Sequence, residues 1–356
     1  MAGLASAIHL TREGFDVRLF ERDPELRTEG VGLNIWPNGV RVLEGVGLAE
    51  RFLAEAATID RWLAIDSDGT VTSDLDITDW QTTYGAPMTG SRRRHLNTLL
   101  ATIVEDGVIE LERPAVGYDQ TEEGVELLLA DGERVAGDVL IAADGIGSRL
   151  RTQLFGRTPE YRPDGFVRWR GVFSCADAGV SERAQADVLG DEGHFGWIPI
   201  GGGYAYWYGT VGGCSEFADV YDVWARWEKA PVKRIVDASA QDTIIGRQIA
   251  HYATHPTNWV DGRVVIVGDA AHPMYPGMAQ GANQALEDGK ALAAHLGTRS
   301  DINAALTAFT AERMPVANAM VDFSRLAFDF PVARTEYRTG RNMQIERYLQ
   351  YEPMAV

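Results

Sequence analysis

The sequence predicts an α/β protein in which a parallel-sheet framework carries β-rich insertions, and three observations predict it. A helical stretch passes through a single glycine into an apolar strand that ends in an acid. Two more short apolar strands, at residues 138–143 and 264–267, stop abruptly at Asp144-Gly145 and Gly268-Asp269. Residues 165–210 alternate apolar with polar or aromatic residues, with Gly punctuation, which is the pattern of an antiparallel sheet with one covered face.

In order along the chain, residues 4–12 put Leu4, Ala7, Ile8 and Leu10 on an apolar helix face, and Gly14 is a stop signal. Residues 15–21 (FDVRLFE) then read as a buried strand, so the stretch is the second half of a βαβ unit. A second helix is expected from Ser91, with Leu96, Leu99, Leu100, Ile103 and Val104 at helical spacing. Strands follow at 125–130, 138–143 and 264–267, and a helix from about Ala282, with helical pattern continuing to the C-terminus. The expected division is a discontinuous nucleotide-binding framework (1–60, 88–160 and 255–325), a β-rich part (61–87 and 161–254) and a helical tail (326–356).

Composition bounds the partners. The chain has 356 residues, 45% hydrophobic and 24% charged, as in ordinary globular proteins. A net charge of −18, with a pI near 4.8, opposes a polyphosphate partner and an anionic membrane surface. Nucleic acid and membrane are therefore not expected partners. Two cysteines, Cys175 and Cys214, read as packing residues of a reduced, cytoplasmic protein, without metal-ligand spacing. No apolar run reaches the roughly 18 residues of a membrane span. No basic segment precedes the N-terminal apolar residues as a signal peptide requires. A monomer or homodimer is expected.

A dinucleotide fingerprint needs a strand, G-x-G-x-x-G, a helix, a strand and an acid about 20 residues on. Gly3 falls where its third glycine would stand, and Glu21, with Arg22 beside it, where the ribose-binding acid would stand. The first strand and the first two glycines are expected to be missing. A chain starting at Met1 would then hold its dinucleotide weakly, for want of the glycine turn that admits the pyrophosphate.

Later motifs converge on one family. The stretch from Asp138 through Asp144-Gly145-Ile146-Gly147-Ser148 resembles the DG motif of class A FAD-dependent aromatic monooxygenases. Gly268-Asp269-Ala270-Ala271-His272-Pro273, continuing through Gln280-Gly281-Ala282-Asn283 to Asp288, resembles their GD motif. Trp36-Pro37-Asn38-Gly39 and Ser91-Arg92-Arg93 are similar to two further landmarks. The resemblance is collinear from Gly3 to about Thr310, and the family is that of the para-hydroxybenzoate, salicylate and urate hydroxylases.

The resemblance implies an FAD-binding Rossmann-like domain of the glutathione-reductase type, with an inserted antiparallel sheet that forms the substrate wall. It implies non-covalent FAD on Gly3, Glu21, Arg22, Arg93, Asp144, Gly145, Asp269, Pro276, Gly281, Ala282 and Asn283. Asp269 would accept hydrogen bonds from ribityl or ribose hydroxyls. The helix N-terminus at Gly281-Ala282-Asn283 would face the flavin edge that gains negative charge on reduction. Three arginines in the first turn of a helix run against its dipole, a conflict that an anion bound at Arg93 would remove. Asp144 reads equally as a helix cap, and His272 reads as a hydrogen-bonded packing residue.

The implied reaction uses NADH or NADPH and O2 to hydroxylate a small phenolic or heteroaromatic ring through a C4a-hydroperoxyflavin. Epoxidation, N-hydroxylation, Baeyer–Villiger insertion and a catalytically dead flavoprotein are the alternatives. No metal site is expected. For the substrate wall, HFGWIPI and YAYWYGT flank the Gly201-Gly202-Gly203 turn. There His194, Gly196 and Ile198 are read on one face, and Tyr204, Tyr206 and Tyr208 on another. His194 and Tyr206 are the expected substrate-orienting groups and Arg170 a weaker candidate; an aromatic ladder is the plain alternative. Gly289, inside a helix where the family usually has Ala, is expected to cost about 1 kcal/mol. Gly277 is expected to open the pocket roof, and the short tail disfavours an added C-terminal domain.

Overall fold

The structure, a computed structural model, describes residues 1–26, 32–156, 161–190, 193–211, 230–252 and 256–326, together with Trp224 and Trp227. Cys214 and the expected tail beyond Leu326 lie outside the described residues.

Helix α1 (Ala2–Arg12) turns at Gly14, whose φ of +87° suits glycine, into β1 (Leu19–Phe20). Then come β2 (Leu33–Ile35), α2 (Pro37–Gly45, with Pro at its first turn), α3 (Ala49–Leu53), β3 (Ala57–Thr58), β4 (Arg61–Asp66), β5 (Val71–Asp76) and α4 (Trp80–Thr83). Next are β6 (Thr89–Ser91), α5 (Arg93–Ala101), β7 (Ile109–Glu110), β8 (Ala115–Gln120), β9 (Val125–Leu129), β10 (Arg134–Gly137), β11 (Leu140–Ala142) and α6 (Arg149–Phe155). The long strands follow: β12 (Tyr161–Ser174), then, past α7 (Cys175–Ala178), β13 (Ala184–Leu189), β14 (Gly193–Gly201) and β15 (Tyr204–Val211). The remaining elements are α8 (Val232–Asp237), β16 (Ile245–Tyr252), β17 (Val260–Asp261), β18 (Val264–Ile266), α9 (Gly281–Thr298) and α10 (Ile302–Leu326).

Two parallel pairings make the framework: β1 with β7, and β11 with β18. Helix α1 packs between them. A Cβ on Gly3 would stand 3.4 Å from Leu19 of β1 and 3.5 Å from Ala143, the residue after β11. The second large element is a seven-stranded sheet in the order β16-β12-β15-β14-β13-β4-β5, antiparallel except for β13 against β4. The expected antiparallel sheet therefore exists, and β4 and β5 join it from the earlier segment.

The register of this sheet sorts its side chains into two unlike faces. One carries Trp169, Phe173, Ala186, Val188, Phe195, Trp197, Ala205 and Trp207, covered by α8, Trp224 and Trp227 as an apolar core. The other carries Arg170, Asp187, His194, Tyr206, Tyr208 and Thr210. His194 is paired with Thr210, Gly196 with Tyr208, and Ile198 with Tyr206. Directly opposed residues in an antiparallel ladder point the same way. The His194 and tyrosine sets, expected on separate faces, thus share one.

Boundaries moved for identifiable reasons. Of residues 15–21, only Leu19 and Phe20 form a strand, because only they find ladder partners, Ile109 and Glu110. Ser91 pairs with Leu33 in β6, so α5 starts at Arg93 with extended Arg92 as its N-cap; Ile103 and Val104 lie past the helix end. Strand β11 is shorter than 138–143.

Gly289 also has a reason. A Cβ there would come within 2.6 Å of the Ala5 carbonyl carbon and the Ser6 nitrogen, where α1 crosses α9. Close helix packing thus offsets the lost helix propensity. Replacing Gly289 with Ala is expected to lower stability by about 1–3 kcal/mol in urea unfolding, despite the better helix former. An unchanged or raised midpoint would show that the crossing can yield.

Candidate active site

Strands β11 and β18 run parallel with Ala142 opposite Ile266, so the turns that follow them leave the same sheet edge. One turn carries Asp144 and Gly145 (φ +80°), the other Gly268 (φ +59°) and Asp269. Buried Arg151 of α6 ties the two together: its guanidinium donates to the carbonyls of Ile146 (2.6 Å) and Ala270 (2.9 Å). The Asp144 carboxylate accepts from the Arg149 and Leu150 amides, beside the Ser148 cap on Arg151 N (2.9 Å). The helix N-cap is Ser148 rather than Asp144, which accepts from two further first-turn amides, and the exposure of Asp144 leaves room for a ligand as well.

Behind the second turn lies a buried polar network. The Asp288 carboxylate accepts from the Gly268 amide (2.9 Å) and the Arg313 guanidinium (3.0 Å), and it bonds His272 Nε2 (2.6 Å). Burial opposes this charge, but His272, Arg313 and the amide outweigh it, and the carboxyl is held at about 2. Arg313 continues to Gln284 (2.6 Å), which donates to Gln280, which also accepts from Asn38 of α2. His272 is thus a buried packing histidine, as its setting in the sequence suggested.

Helix α9 begins at Gly281, with Gln280 as N-cap. The first-turn amides of Gly281, Ala282 and Asn283 have no acceptor within a helix. The Asn283 side chain is occupied: it accepts from Trp36 N (3.1 Å) and donates to the carbonyls of Ala279 (2.8 Å) and Asn34 (3.2 Å). Only its backbone is left for a ligand. Gly39 makes room for this staple, since a Cβ there would stand 2.2 Å from Asn283 Oδ1.

These residues fit a flavin dinucleotide. A Cβ on Gly281 would meet nothing of the protein closer than 3.7 Å, so packing does not demand this glycine, unlike Gly39, Gly268 and Gly289. Asp269 is exposed at its strand end, with Oδ1 4.0 Å from that Cβ position. Half-buried Arg93 has no hydrogen-bond or ion-pair partner among the described residues, although it starts a helix whose dipole disfavours it. Glu21 caps the Asp23 amide (3.1 Å), exposed Arg22 pairs with Asp23, and exposed Pro276 opens the turn before α9.

The polar face of the seven-stranded sheet meets this framework. Arg168 lies over the Tyr275 ring (5.2 Å), Asn34 donates to Gln185 (2.6 Å), and Tyr206 and Tyr208 pack with Trp36, Trp62 and Ala279, two residues before α9. Within that face sits a carboxylate the sequence reading missed. Asp187 is buried and bonds His194 Nε2 (2.7 Å), the Tyr208 hydroxyl (2.7 Å) and the Trp62 indole (2.7 Å). Burial opposes its charge, yet these donors hold it below the ordinary carboxylate range. In AQADVL, Gln185 and Asp187 alternate with apolar residues, and only the structure shows the whole strand to be buried. Burial pushes the Tyr206 phenol up, so Tyr206 stays protonated; Arg170 shares the face, opposite Tyr208.

A sheet-edge cradle for a dinucleotide, facing a polar, aromatic-rich sheet, defines an FAD-dependent oxidoreductase of the monooxygenase class. The chain belongs to the FAD binding domain family, which matches residues 1–324. It is similar to the aurachin C monooxygenase/isomerase of Stigmatella aurantiaca, with 31% identity over 90% of this chain and 85% of that protein. It is also similar to the 3-amino-4-hydroxybenzoate 2-monooxygenase of Streptomyces cremeus, with 33% identity over 81% and 74%. The fold matches a Klebsiella pneumoniae crystal structure complexed with FAD and uric acid: TM-score 0.88, 23% identity, 99% of this chain and 92% of that one. It also matches 2-methyl-3-hydroxypyridine-5-carboxylic acid oxygenase: TM-score 0.83, 26% identity, 99% and 93%. The resemblance to FAD-dependent aromatic hydroxylases is thereby established.

The network around Asp288 carries a pH dependence. Its folded-state value lies below the unfolded one near 3.9. Its stabilising contribution is therefore present above pH 4 and is lost as pH falls from about 4 towards 2. Asp288→Asn is expected to destabilise the protein at neutral pH by about 2–3 kcal/mol, by removing one of the two carboxylates, with Glu287 at 3.2 Å, that balance buried Arg313. The same variant should flatten the acid limb of a stability–pH curve; an unaltered limb would contradict this.

Proposed function

We propose that this protein is an NAD(P)H-dependent monooxygenase that inserts one oxygen atom of O2 into a small phenolic or heteroaromatic ring. The observation that carries this reading is the polar sheet face, with Asp187, His194, Tyr206, Tyr208 and Arg170, set against the loop that leads into α9. In this reading Gly3, Glu21 and Arg22 hold the adenosine end of FAD, and Arg93, Asp144 and Gly145 lie along its phosphates. Asp269, Pro276, Gly281, Ala282 and the Asn283 backbone hold the ribityl–flavin end. Bound there, FAD would supply the redox chemistry, taking two electrons from the nicotinamide and activating O2, so that one oxygen enters the ring and the other leaves as water.

The chain's own residues do the rest. Protonated Tyr206 donates to an oxygen or nitrogen on the ring substrate. His194, fixed by Asp187, and Arg170 orient its phenol or carboxylate. The indoles of Trp36 and Trp62, 5.6 Å apart, keep water from that wall. The first-turn amides of α9 stabilise negative charge without reorganising when it develops.

The test is a panel of hydroxybenzoates, hydroxypyridines and polycyclic phenols offered to the FAD-loaded protein with NADH or NADPH, followed by mass spectrometry. An active substrate should accelerate nicotinamide oxidation and gain one oxygen. Stimulated oxidation that yields only peroxide across the panel would sink the aromatic-hydroxylase reading. Arg93→Ala is expected to weaken FAD retention about tenfold, read by flavin fluorescence after gel filtration, in line with a lost charge-assisted hydrogen bond. Full retention would remove Arg93 from the cofactor site.

A further inference from the structure

Asp187 is a buried carboxylate on the polar face of the seven-stranded sheet. It bonds side chains of three different strands: Trp62 from β4, His194 from β14 and Tyr208 from β15. Two of the three stand on the face assigned above to the substrate. Gly196, opposite Tyr208, has its missing Cβ position filled by the Tyr208 ring, 2.5 Å away, so that ring is laid flat over β14 towards Asp187. The His194 and Tyr208 rings meet edge to face at 5.4 Å. The indole and the phenol can only donate to the carboxylate. Burial opposes the charge, but His194 first, then Tyr208 and Trp62, hold the carboxyl below its ordinary range. An ionised carboxylate has nothing to donate, so the bond to His194 puts a ring proton on Nε2.

We propose that Asp187 is a positioning residue of the substrate wall: it fixes the proton of His194 on Nε2 and holds the Tyr208 hydroxyl turned inward, so that the wall presents one preset hydrogen-bonding pattern to the substrate. This rests on the function proposed above. It deepens that function by naming a carboxylate that orders the wall through its bonds to His194 and Tyr208. A wall fixed before the substrate arrives loses less on ordering than one assembled around it.

The test uses the FAD-loaded protein and two readouts. Long-range proton–nitrogen NMR correlations of a 15N-histidine-labelled sample report which ring nitrogen of His194 is protonated, and they need no turnover. The wild type is expected to show a protonated Nε2. In Asp187→Asn the amide can donate to Nε2, and the proton should move to Nδ1 or divide between the two nitrogens. Hydroxylation of the best panel substrate should fall about 100-fold in that variant, the order of loss that accompanies a misplaced orienting group. Asp187→Glu, which keeps the charge, should restore the Nε2 tautomer and part of the rate. Thermal melts of each variant identify those that fail to fold; if Asp187→Asn does not fold, Asp187→Glu against wild type and the wild-type tautomer carry the test. An Nδ1-protonated His194 in the wild type would overturn the proposal, as would an Asp187→Asn protein with wild-type tautomer and turnover. Because the tautomer is read without turnover, an absence of hydroxylated product from the wild type counts against the function and not against the positioning role.

Discussion

A single buried carboxylate holds the framework's ligand-facing edge in shape. Asp288 accepts from the Gly268 amide, Arg313 and His272 at once, so one charge on α9 fixes the turn after β18, a helix that crosses behind it and the loop beyond. Burying an ion pair stabilises little by itself, because desolvation consumes most of the Coulombic gain. Its consequence is geometric. With three donors from three segments on its two oxygens, the carboxylate pins the turn, and Asp269 is presented outward while Asp288 stays inside.

The same logic recurs at the other joints. Arg151 donates to carbonyls of both turns, so the turns after β11 and β18 are tied to each other. Asn283 uses its whole amide on Asn34, Trp36 and Ala279, locking the start of α9 onto β2 and the loop before it. The polar groups that remain outward are those a flavin dinucleotide can use. The seven-stranded sheet divides the labour by face: apolar residues build a core under α8, and polar residues build the wall opposite the framework.

Much of the candidate site was legible because it lies in short runs with local physical meaning. A strand that stops at Gly-Asp, a glycine before a helix and arginines at a helix start are each contained within a few residues. Asp187 escaped because its partners lie 125 residues before it and 7 and 21 residues after it, on three strands. No local pattern announces that a carboxylate amid Ala, Val and Leu will meet an indole, an imidazole and a phenol. Arg151 escaped for the same reason, its main acceptor lying 119 residues away.

The sequence by itself determined the family and the existence of an antiparallel sheet with one apolar face, because those are written in periodicity and contiguous motifs. Only the tertiary structure decided that His194 and the tyrosines share a face, that Gly289 serves a helix crossing, and that Asn283 is a staple. Strand register, helix approach distance and hydrogen-bond partner are relations between segments far apart in the chain, and they acquire values only when the segments pack.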